Sequence, residues 1–318
     1  MNNLTNHELQ FSLSDIALSK LDLVPTWVQK YHPKLNNSDY EVFEGGQITL
    51  IVRIARQLVI KIFVPKFNYI NDYDHANELI QNYIDLQNSD LDLGQFGIIY
   101  FDQLDPIFGC PIVVCNYYAD TQPLVYTFYT LDSAQRSATI AKVISKLKDF
   151  NQPASGFTYS TQRILDEFDR QFQKFGASIP TTIKETFVNL RLSLQPRTIT
   201  EGIHLVHGDI HLENILVNET GDFRLIDFDF CHFAPLFVEL EIIFLFCFLP
   251  TSVVPDRLKD FYSESMPEVF DQFVKEYPEL CDSNYQDEIK LMFASEIIPK
   301  IAHPKFEKNC YEAIKRFF

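Results

Sequence analysis

Short apolar runs, many of them rich in Val and Ile, alternate with turn residues through the first third of the chain. Three of the runs surround the pair Gly45-Gly46 and end before Pro65, and two more follow after residue 95. Such runs between turn signals are typical of strands. The pattern predicts three antiparallel strands and a further strand pair. The runs are residues 40–44, 48–54, 57–64, 97–101 and 111–115.

Helical spacing of apolar residues dominates the rest of the chain. The segments with this spacing are residues 8–31, 72–87, 131–150, 160–175, 181–194 and 235–318. Residues 203–230 interrupt the later helices with short strands. The sequence therefore predicts an α+β protein with a β-rich N-terminal lobe (residues 1–115), a hinge (116–120) and a larger, mainly helical lobe (121–318).

The net charge of the chain limits the classes of partner that it can bind. Lys and Arg total 27 against 43 Asp and Glu, a formal net charge of -16. A field of this sign repels polyanions, which argues against nucleic acid, whereas a local basic group can still bind a nucleotide. The six cysteines have no paired metal spacing and are predicted to be reduced and mostly buried.

The sequence also predicts a cytoplasmic protein without membrane attachment. The first residues lack the basic start and apolar core of a signal peptide. The longest apolar run, residues 242–250, is shorter than the about 20 residues that cross a bilayer. We interpret this run as a buried helix.

One segment carries the candidate chemistry. His207-Gly208-Asp209 is followed by Asn214, and Asp227-Phe228 comes thirteen residues later. This order of residues is that of a kinase catalytic loop and metal-binding turn. Phosphoryl transfer needs an acceptor for the proton of the nucleophile and oxygen ligands for Mg²⁺. Asp209 is the candidate proton acceptor, and Asn214 and Asp227 are the candidate metal ligands.

The variant His-Gly-Asp-x-His-x-x-Asn, with Gly208 and His211, resembles the aminoglycoside phosphotransferase and choline kinase-like family. The resemblance implies a two-lobed protein-kinase-like fold, use of ATP (or GTP) with Mg²⁺, and a small hydroxyl-bearing substrate. The chain departs from the family pattern at three positions. Leu212 and Glu213 occupy positions where Pro and Gly are frequent, and Asp229 replaces the Gly of Asp-Phe-Gly.

Lys61 stands inside an apolar strand, about 15 residues after the glycine pair. A lysine in such a strand either needs a partner or reaches water at a sheet edge. Because the next helix carries acidic residues, Glu78 is the predicted partner and Asp74 is the competing one. Lys61, held by this acidic partner, would bind nucleotide phosphates, so that the pair belongs to the predicted cofactor site.

Two further segments are predicted to contact the nucleotide. Gly45 and Gly46 could direct backbone N–H groups at the phosphates, although a two-glycine hairpin turn also explains them. The resemblance implies that the interlobe linker, with Asn116 and Tyr118, hydrogen-bonds adenine through its backbone.

Three residues near the loop receive other roles. His207 is predicted to be structural and to tie the loop to backbone near Asp227. His211 either orients Asp209 or touches substrate. Glu239 is predicted to cap or anchor a helix.

The acceptor is the least defined part of the prediction. Residues 256–291 contain many acids, compatible with a cationic substrate such as an aminoglycoside or an amino alcohol, or simply with solvated helix faces. Lys315 and Arg316 precede the final Phe-Phe, where some aminoglycoside kinases have acids, so no resistance activity is assigned. The leading hypothesis is a small-molecule kinase. The alternatives are a pseudokinase that acts through protein contacts and a protein kinase, which Gly208 and the missing Ala-Pro-Glu disfavour.

Overall fold

The computed structural model describes residues 19–36, 39–43, 49–64, 73–249, 266–301 and 307–318. The chain divides into two compact units, Met1–Thr121 and Gln122–Phe318. The segment predicted as the hinge, residues 116–120, forms the end of the first unit.

The first unit contains a five-stranded antiparallel sheet with the order β1 (Tyr40–Phe43), β2 (Thr49–Ile54), β3 (Leu58–Phe63), β5 (Ile112–Asn116) and β4 (Ile98–Asp102). Its register pairs Ile51 with Lys61, and Lys61 with Val113. The five strands predicted from the apolar runs are confirmed.

Helix α1 (Val24–Tyr31) packs on one face of this sheet. Proline in its first turn suits the helix start because the missing N–H would have no partner there. Trp27 is fully buried and donates its Nε1–H to Asp105 Oδ2 over 3.2 Å. The core shared with α1 consists of alternate strand residues: Leu50, Val52, Ile54, Leu58, Ile60, Ile62, Ile112 and Val114.

Helix α2 (Tyr73–Asn88) confirms the helix predicted over 72–87. Its Tyr83 is buried and packs against Phe63 and Phe101, with ring centroids 6.0 and 5.5 Å away. Cross-strand partners point to the same face of a sheet, so the pairing of Phe101 with Val113, and of Val113 with Lys61, places α2 on the face of Lys61.

The second unit is mainly helical, as predicted. Helix α4 starts with a capping box between Asp132 and Gln135, which satisfies two backbone N–H groups. The helices are α3 (Val125–Phe128), α4 (Ser133–Phe150), α5 (Gln162–Phe175), α6 (Thr181–Ser193), α7 (Leu240–Phe248), α8 (Pro267–Glu276), α9 (Gln286–Ile297) and α10 (Glu307–Phe317). Short 3₁₀ turns cover Leu93–Phe96, Gly176–Ser178, Phe228–Phe230, Leu236–Glu239, Pro278–Cys281 and Ser283–Tyr285.

Helix α7 contains most of the long apolar run and is almost entirely buried, as predicted. Phenylalanines surround Phe317 of α10, with ring centroids 5.0 to 5.7 Å away. They are Phe244, Phe248, Phe270 and Phe293. Among the described residues, no helix combines the length and apolar character needed to span a membrane. All six cysteines are free thiols; four are buried and two are half-buried.

Short strands hold the loops of the second unit. They are β6 (Thr121–Pro123), β7 (Tyr159–Ser160), β8 (Thr198–Ile199), β9 (Ile203–Val206), β10 (Ile215–Asn218), β11 (Phe223–Leu225) and β12 (His232–Pro235). Strands β11, β10 and β6 form a three-stranded sheet, whereas β9 pairs with β12 and β7 with β8. These strands confirm the predicted interruption of the helices over 203–230.

Candidate active site

The loop from His207 to Asn214 joins β9 to β10, and the hairpin of β10 and β11 returns the chain to its starting point. Ile215 pairs with Leu225, and the next residue, Ile226, donates its N–H to the carbonyl of Asn214 over 3.0 Å. Asn214 and Asp227 therefore lie together at the base of the hairpin. The backbones of the two candidate metal ligands named from the sequence are thus neighbours in the fold.

Asp209 and Asn214 are joined directly. Nδ2 of Asn214 donates to the carbonyl oxygen and to Oδ2 of Asp209, both over 2.9 Å. Asn214 is 6% exposed, whereas the Asp209 side chain retains 23% exposure. Because these bonds use the amide N–H groups, Oδ1 of Asn214 is the atom left to act as a ligand.

His211 lies against the same carboxylate. Its Nε2 is 3.6 Å from Asp209 Oδ2 and 3.1 Å from Asn214 Nδ2, and its Nδ1 accepts the Glu213 N–H over 3.3 Å. Burial lowers the pKa of His211, but the hydrogen bond and charge of Asp209 outweigh it, so the pKa is raised. Of the two predicted roles, the contacts support orientation of Asp209.

His207 has the predicted structural role. It is fully buried, and its Nε2 lies 3.0 Å from the carbonyl oxygen of Ile226, the residue before Asp227. The rings of Phe150 and Phe228 stack on each other, 5.5 Å apart, and lie 5.5 and 5.3 Å from the imidazole. Burial lowers the pKa of His207 to about 4, so the ring is neutral at pH 7 and donates to this carbonyl.

For Glu239 the sequence left two roles open, capping or anchoring a helix. Glu239 precedes α7, yet its side chain makes no helix-capping hydrogen bond, so the capping prediction is wrong. The carboxylate instead accepts the backbone N–H groups of His207 and Gly208 and, over 2.9 Å, the amide of Asn151. Burial raises the pKa of Glu239 despite these donors. The buried Glu239 carboxylate thus accepts three hydrogen bonds, two of them from the backbone at the start of the loop from His207 to Asn214, and fixes that backbone in place.

Asn151 was not singled out in the sequence. Its amide also donates to the carbonyl of Leu205, and its Oδ1 accepts the hydroxyl of Tyr277 over 3.2 Å. The available signal was its position directly after the apolar end of a predicted helix. A polar residue there must find a partner if it is buried.

Two residues of the site have left-handed backbone. Gly208 has φ +71°, and a Cβ atom there would lie 2.5 Å from the carbonyl oxygen of Phe230. Asp227 has φ +65° without being glycine. Asp tolerates this region better than most residues, and such conformations concentrate at functional sites.

The first unit contains the remaining candidates. Lys61 on β3 is 7% exposed, and Glu78 on α2 is half-buried. Pairing of Lys61 with Glu78 rather than Asp74 stays a prediction. Gly45 and Gly46 lie outside the described residues.

The two linker candidates, Asn116 and Tyr118, lie at and just after the end of β5. Asn116 is exposed and donates its N–H to the Gly97 carbonyl over 2.8 Å, and the N–H of Tyr117 donates to Gln57 over the same distance. The half-buried ring of Tyr118 contacts Gly97. A Cβ atom added at Gly97 would collide with the Tyr118 hydroxyl. Contact of Asn116 and Tyr118 with adenine stays a prediction.

The donor set at the hairpin base fits a hard cation. Asn214 offers an amide oxygen and Asp227 a carboxylate, the ligand types that Mg²⁺ prefers. Within the described part of the chain, His, Cys, Asp and Glu form no cluster of three or more that could hold a metal ion. A site with only Asn214 and Asp227 as protein ligands is compatible with Mg²⁺, which usually binds few protein ligands and keeps several water ligands.

The loop from His207 to Asn214, the adjoining hairpin and a separate β-rich unit are the parts that the sequence predicted for a two-lobed, kinase-like fold. The model of the phosphotransferase enzyme family matches residues 98–272, more than half of the chain. The chain belongs to this family, which confirms the resemblance found in the sequence. No curated protein matches the chain significantly in sequence.

Solved structures show the same fold at low sequence identity. The GDP and kanamycin complex of APH(2″)-IIia has a TM-score of 0.55 and 13% identity, with 92% of this chain and 96% of that chain covered. The streptomycin and ATP complex of APH(2″)-IIa has a TM-score of 0.50 and 12% identity, with 99% and 97% covered. The GDP complex of aminoglycoside 2′-phosphotransferase-IIIa has a TM-score of 0.51 and 10% identity, with 92% and 96% covered.

Proposed function

We propose that this protein transfers the γ-phosphoryl group of ATP to a hydroxyl group of a small molecule. The observation that carries the proposal is the arrangement at the hairpin base. Asn214 donates its amide to Asp209, the backbone of Asn214 is hydrogen-bonded to Ile226, the residue before Asp227, and the Asp209 carboxylate stays accessible. A proton acceptor next to two oxygen ligands is the arrangement that phosphoryl transfer requires.

Asp209 is the proposed proton acceptor. The acceptor hydroxyl oxygen forms a bond to the γ-phosphorus while the bond from that phosphorus to the β–γ bridging oxygen breaks. ADP leaves with the electron pair of that bond, and the hydroxyl proton passes to Asp209. Asn214 and Asp227 would hold Mg²⁺, which when bound neutralises phosphate charge. His211 keeps the Asp209 carboxylate oriented.

The proposed nucleotide contacts lie on the first unit. Lys61, paired with Glu78 or Asp74, would bind phosphate oxygens, and the N–H groups of Gly45 and Gly46, in the turn predicted from the sequence, would contact them. The backbone of Asn116 and Tyr118 would contact the base. One similar structure contains ATP and another GDP, so GTP is the alternative donor to test beside ATP.

The proposed acceptor is a cationic hydroxyl compound such as an aminoglycoside or an amino alcohol. The net charge of -16 favours a cation over an anion. Kanamycin and streptomycin are named in two of the similar structures. Free thiols and the use of ATP agree with activity in the cytoplasm.

The substitution Asp209→Asn tests the proposal. We expect it to keep affinity for Mg·ATP, measured by calorimetry, and to lower turnover on the best acceptor by about 10²- to 10⁴-fold, the usual contribution of general-base catalysis. The acceptor is found first by ADP release against a panel of aminoglycosides, amino alcohols, amino acids, sugars and peptides. Asp149→Asn, an exposed aspartate at the end of α4, is the matched control.

Three results would contradict the proposal. Full turnover of Asp209→Asn would remove Asp209 from its role. A wild-type protein that gains no Mg²⁺-dependent thermal stabilisation from ATP or GTP, and turns over no acceptor, would favour the pseudokinase alternative. Turnover on peptides alone would favour a protein kinase.

A further inference from the structure

The two faces of the first unit's sheet differ in what covers them. The face that carries Leu50, Val52 and Ile60 is buried with α1. The opposite face carries Lys61, and α2 packs on it at Phe63 and Phe101. Further along that opposite face, the apolar side chains of Ile51, Val59 and Cys115 are only half-buried. This half-open, apolar stretch beside a buried lysine suits a planar base.

Arg53 borders this stretch. The register pairs Arg53 with Val59 and with Glu41, and pairs Val59 with Cys115, so all four share the face of Lys61. Lys61 stands two residues beyond Val59 on the same strand, about 7 Å along the face. On this face, Val59 therefore has Lys61 as its neighbour along β3 and Arg53 as its neighbour on the adjacent strand β2.

The arginine is fully engaged. Its Nη1 donates to the Tyr117 hydroxyl over 2.9 Å, the guanidinium lies 5.0 Å from the centre of the Tyr117 ring, and Nη2 pairs with the Glu41 carboxylate. The Arg53 side chain is 12% exposed. It therefore joins three segments: β1 through Glu41, β2 through its own backbone, and the linker through Tyr117.

We propose that Arg53 is a positioning residue for the nucleotide, a role that rests on the proposed function. Its charge is neutralised by Glu41, so it does not serve as a second phosphate ligand. It instead fixes the strands that flank the predicted glycine turn against the linker predicted to contact the base. A planar guanidinium can hold a carboxylate and an aromatic hydroxyl at once, which a lysine cannot.

The proposed positioning role of Arg53 can be distinguished by experiment from a contribution to the stability of the fold. The Glu41 carboxylate of this ion pair is 37% exposed, and pairs with a solvated partner contribute little to folding, so loss of the bridge should shift the melting temperature little. Loss of alignment should act on nucleotide binding. We expect Arg53→Met, which keeps an apolar stem of similar length, to raise the Kd for Mg·ATP about tenfold, the equivalent of one hydrogen bond to a charged group. KM for ATP should rise more than kcat falls.

Three further variants sharpen the test. Tyr117→Phe keeps the ring and deletes only the hydroxyl, and should raise the Kd about threefold. The double variant should bind Mg·ATP no more weakly than Arg53→Met, since both changes remove the same hydrogen bond. Arg56→Met, at an exposed arginine in the turn between β2 and β3, is the matched control and should leave the Kd as in the wild type.

A second readout needs no turnover. Cys115 shares the proposed base face with Val59, so bound Mg·ATP should protect its thiol from N-ethylmaleimide, followed by mass spectrometry of each cysteine. Cys281, half-buried in the second unit, is the reference thiol. Arg53→Met should lose this protection at an ATP concentration that protects the wild type.

The outcomes are distinguishable. If the wild type binds Mg·ATP and Arg53→Met matches it within twofold in Kd and in Cys115 protection, the positioning role is wrong and the proposed function stands. If the wild type binds neither Mg·ATP nor Mg·GTP, the proposed function itself fails, and the role of Arg53 with it.

Discussion

Gly208 separates the structural His207 from the proposed base Asp209, and its backbone determines where both side chains point. Its φ of +71° lies in the left-handed region, and the space where a Cβ would stand is taken by the carbonyl oxygen of Phe230, 2.5 Å away. Its N–H donates to the buried Glu239 carboxylate over 3.2 Å. Conformation and space thus both favour glycine here, whereas the hydrogen bond needs only a backbone N–H.

The substitution Gly208→Ala should disable the loop. A left-handed alanine alone costs about 1–2 kcal/mol, and here the backbone must also move away from Phe230. We expect a larger loss of unfolding free energy than that, measured in urea, and loss of turnover because Asp209 shifts.

Gly202→Ala provides the matched control. Gly202 has φ +66°, but a Cβ atom added there would meet no atom within 4 Å, so the substitution isolates the conformational cost. Equal destabilisation by the two substitutions, with turnover retained in Gly208→Ala, would contradict the role of the Phe230 contact.

The elements that carry the site follow from local sequence, and this is why they could be predicted. Val and Ile runs next to turn residues specify β2, β3 and β5 without knowledge of the rest of the chain. The spacing between Asn214 and Asp227 likewise encodes a hairpin, because the residues between them form two short apolar runs around Gly221. Both kinds of signal act over a few neighbouring residues.

The groups behind the site could not be predicted in the same way. Glu239 receives its donors from His207 and Gly208, about 30 positions away, and from Asn151, which is 88 positions away. No local pattern encodes a contact of that separation. Burial of an acid before an apolar helix signals only that a partner is needed, and tertiary packing decides which one it is.

Helices α5, α7 and α9 bring together acidic residues that have no part in the proposed reaction. Glu296 of α9 has its pKa raised from the ordinary 4.5 to about 8, first by burial and then by the charge of Glu241 on α7. Glu167 of α5 raises it further, while Lys300 and Arg170 oppose the shift. Near pH 7 the Glu296 carboxyl therefore holds a proton in the folded protein.

This shift predicts a pH dependence of stability with a definite sign. Between pH 4.5 and pH 8 folded Glu296 is protonated and unfolded Glu296 is ionised. Unfolding then releases a proton, so the contribution of Glu296 to stability is fully present below pH 4.5 and is lost as the pH rises to 8. Glu296→Gln, which cannot ionise, should gain stability relative to the wild type across this window and keep a constant difference above it.

Urea unfolding at half-unit pH steps measures that difference. Glu312→Gln on α10 is the control, since its side chain is 48% exposed and its pair with Lys308 is at the surface. A difference between Glu296→Gln and wild type that stays flat from pH 4.5 to 8 would show that Glu296 is ionised throughout.

At the scale of the whole molecule, the net charge of -16 acts on every ligand that approaches, whatever its binding site. Such long-range fields are screened as ionic strength rises, because the Debye length falls from about 30 Å at 0.01 M to about 8 Å at 0.15 M. Short hydrogen bonds within a bound complex are screened much less. Varying the salt concentration therefore distinguishes attraction of a ligand by the charge of the whole surface from recognition of that ligand at its binding site.

If the acceptor is a cation, its kcat/KM should fall with salt by about threefold or more between 0.02 and 0.3 M KCl, at saturating Mg·ATP, because steering of charged ligands weakens over this range. An uncharged hydroxyl acceptor from the same panel should show no such slope. Mg·ATP, which is anionic, should show the opposite trend when the acceptor saturates. Equal slopes for the charged and uncharged acceptors would mean that the surplus acid serves solubility alone and plays no part in choosing the substrate.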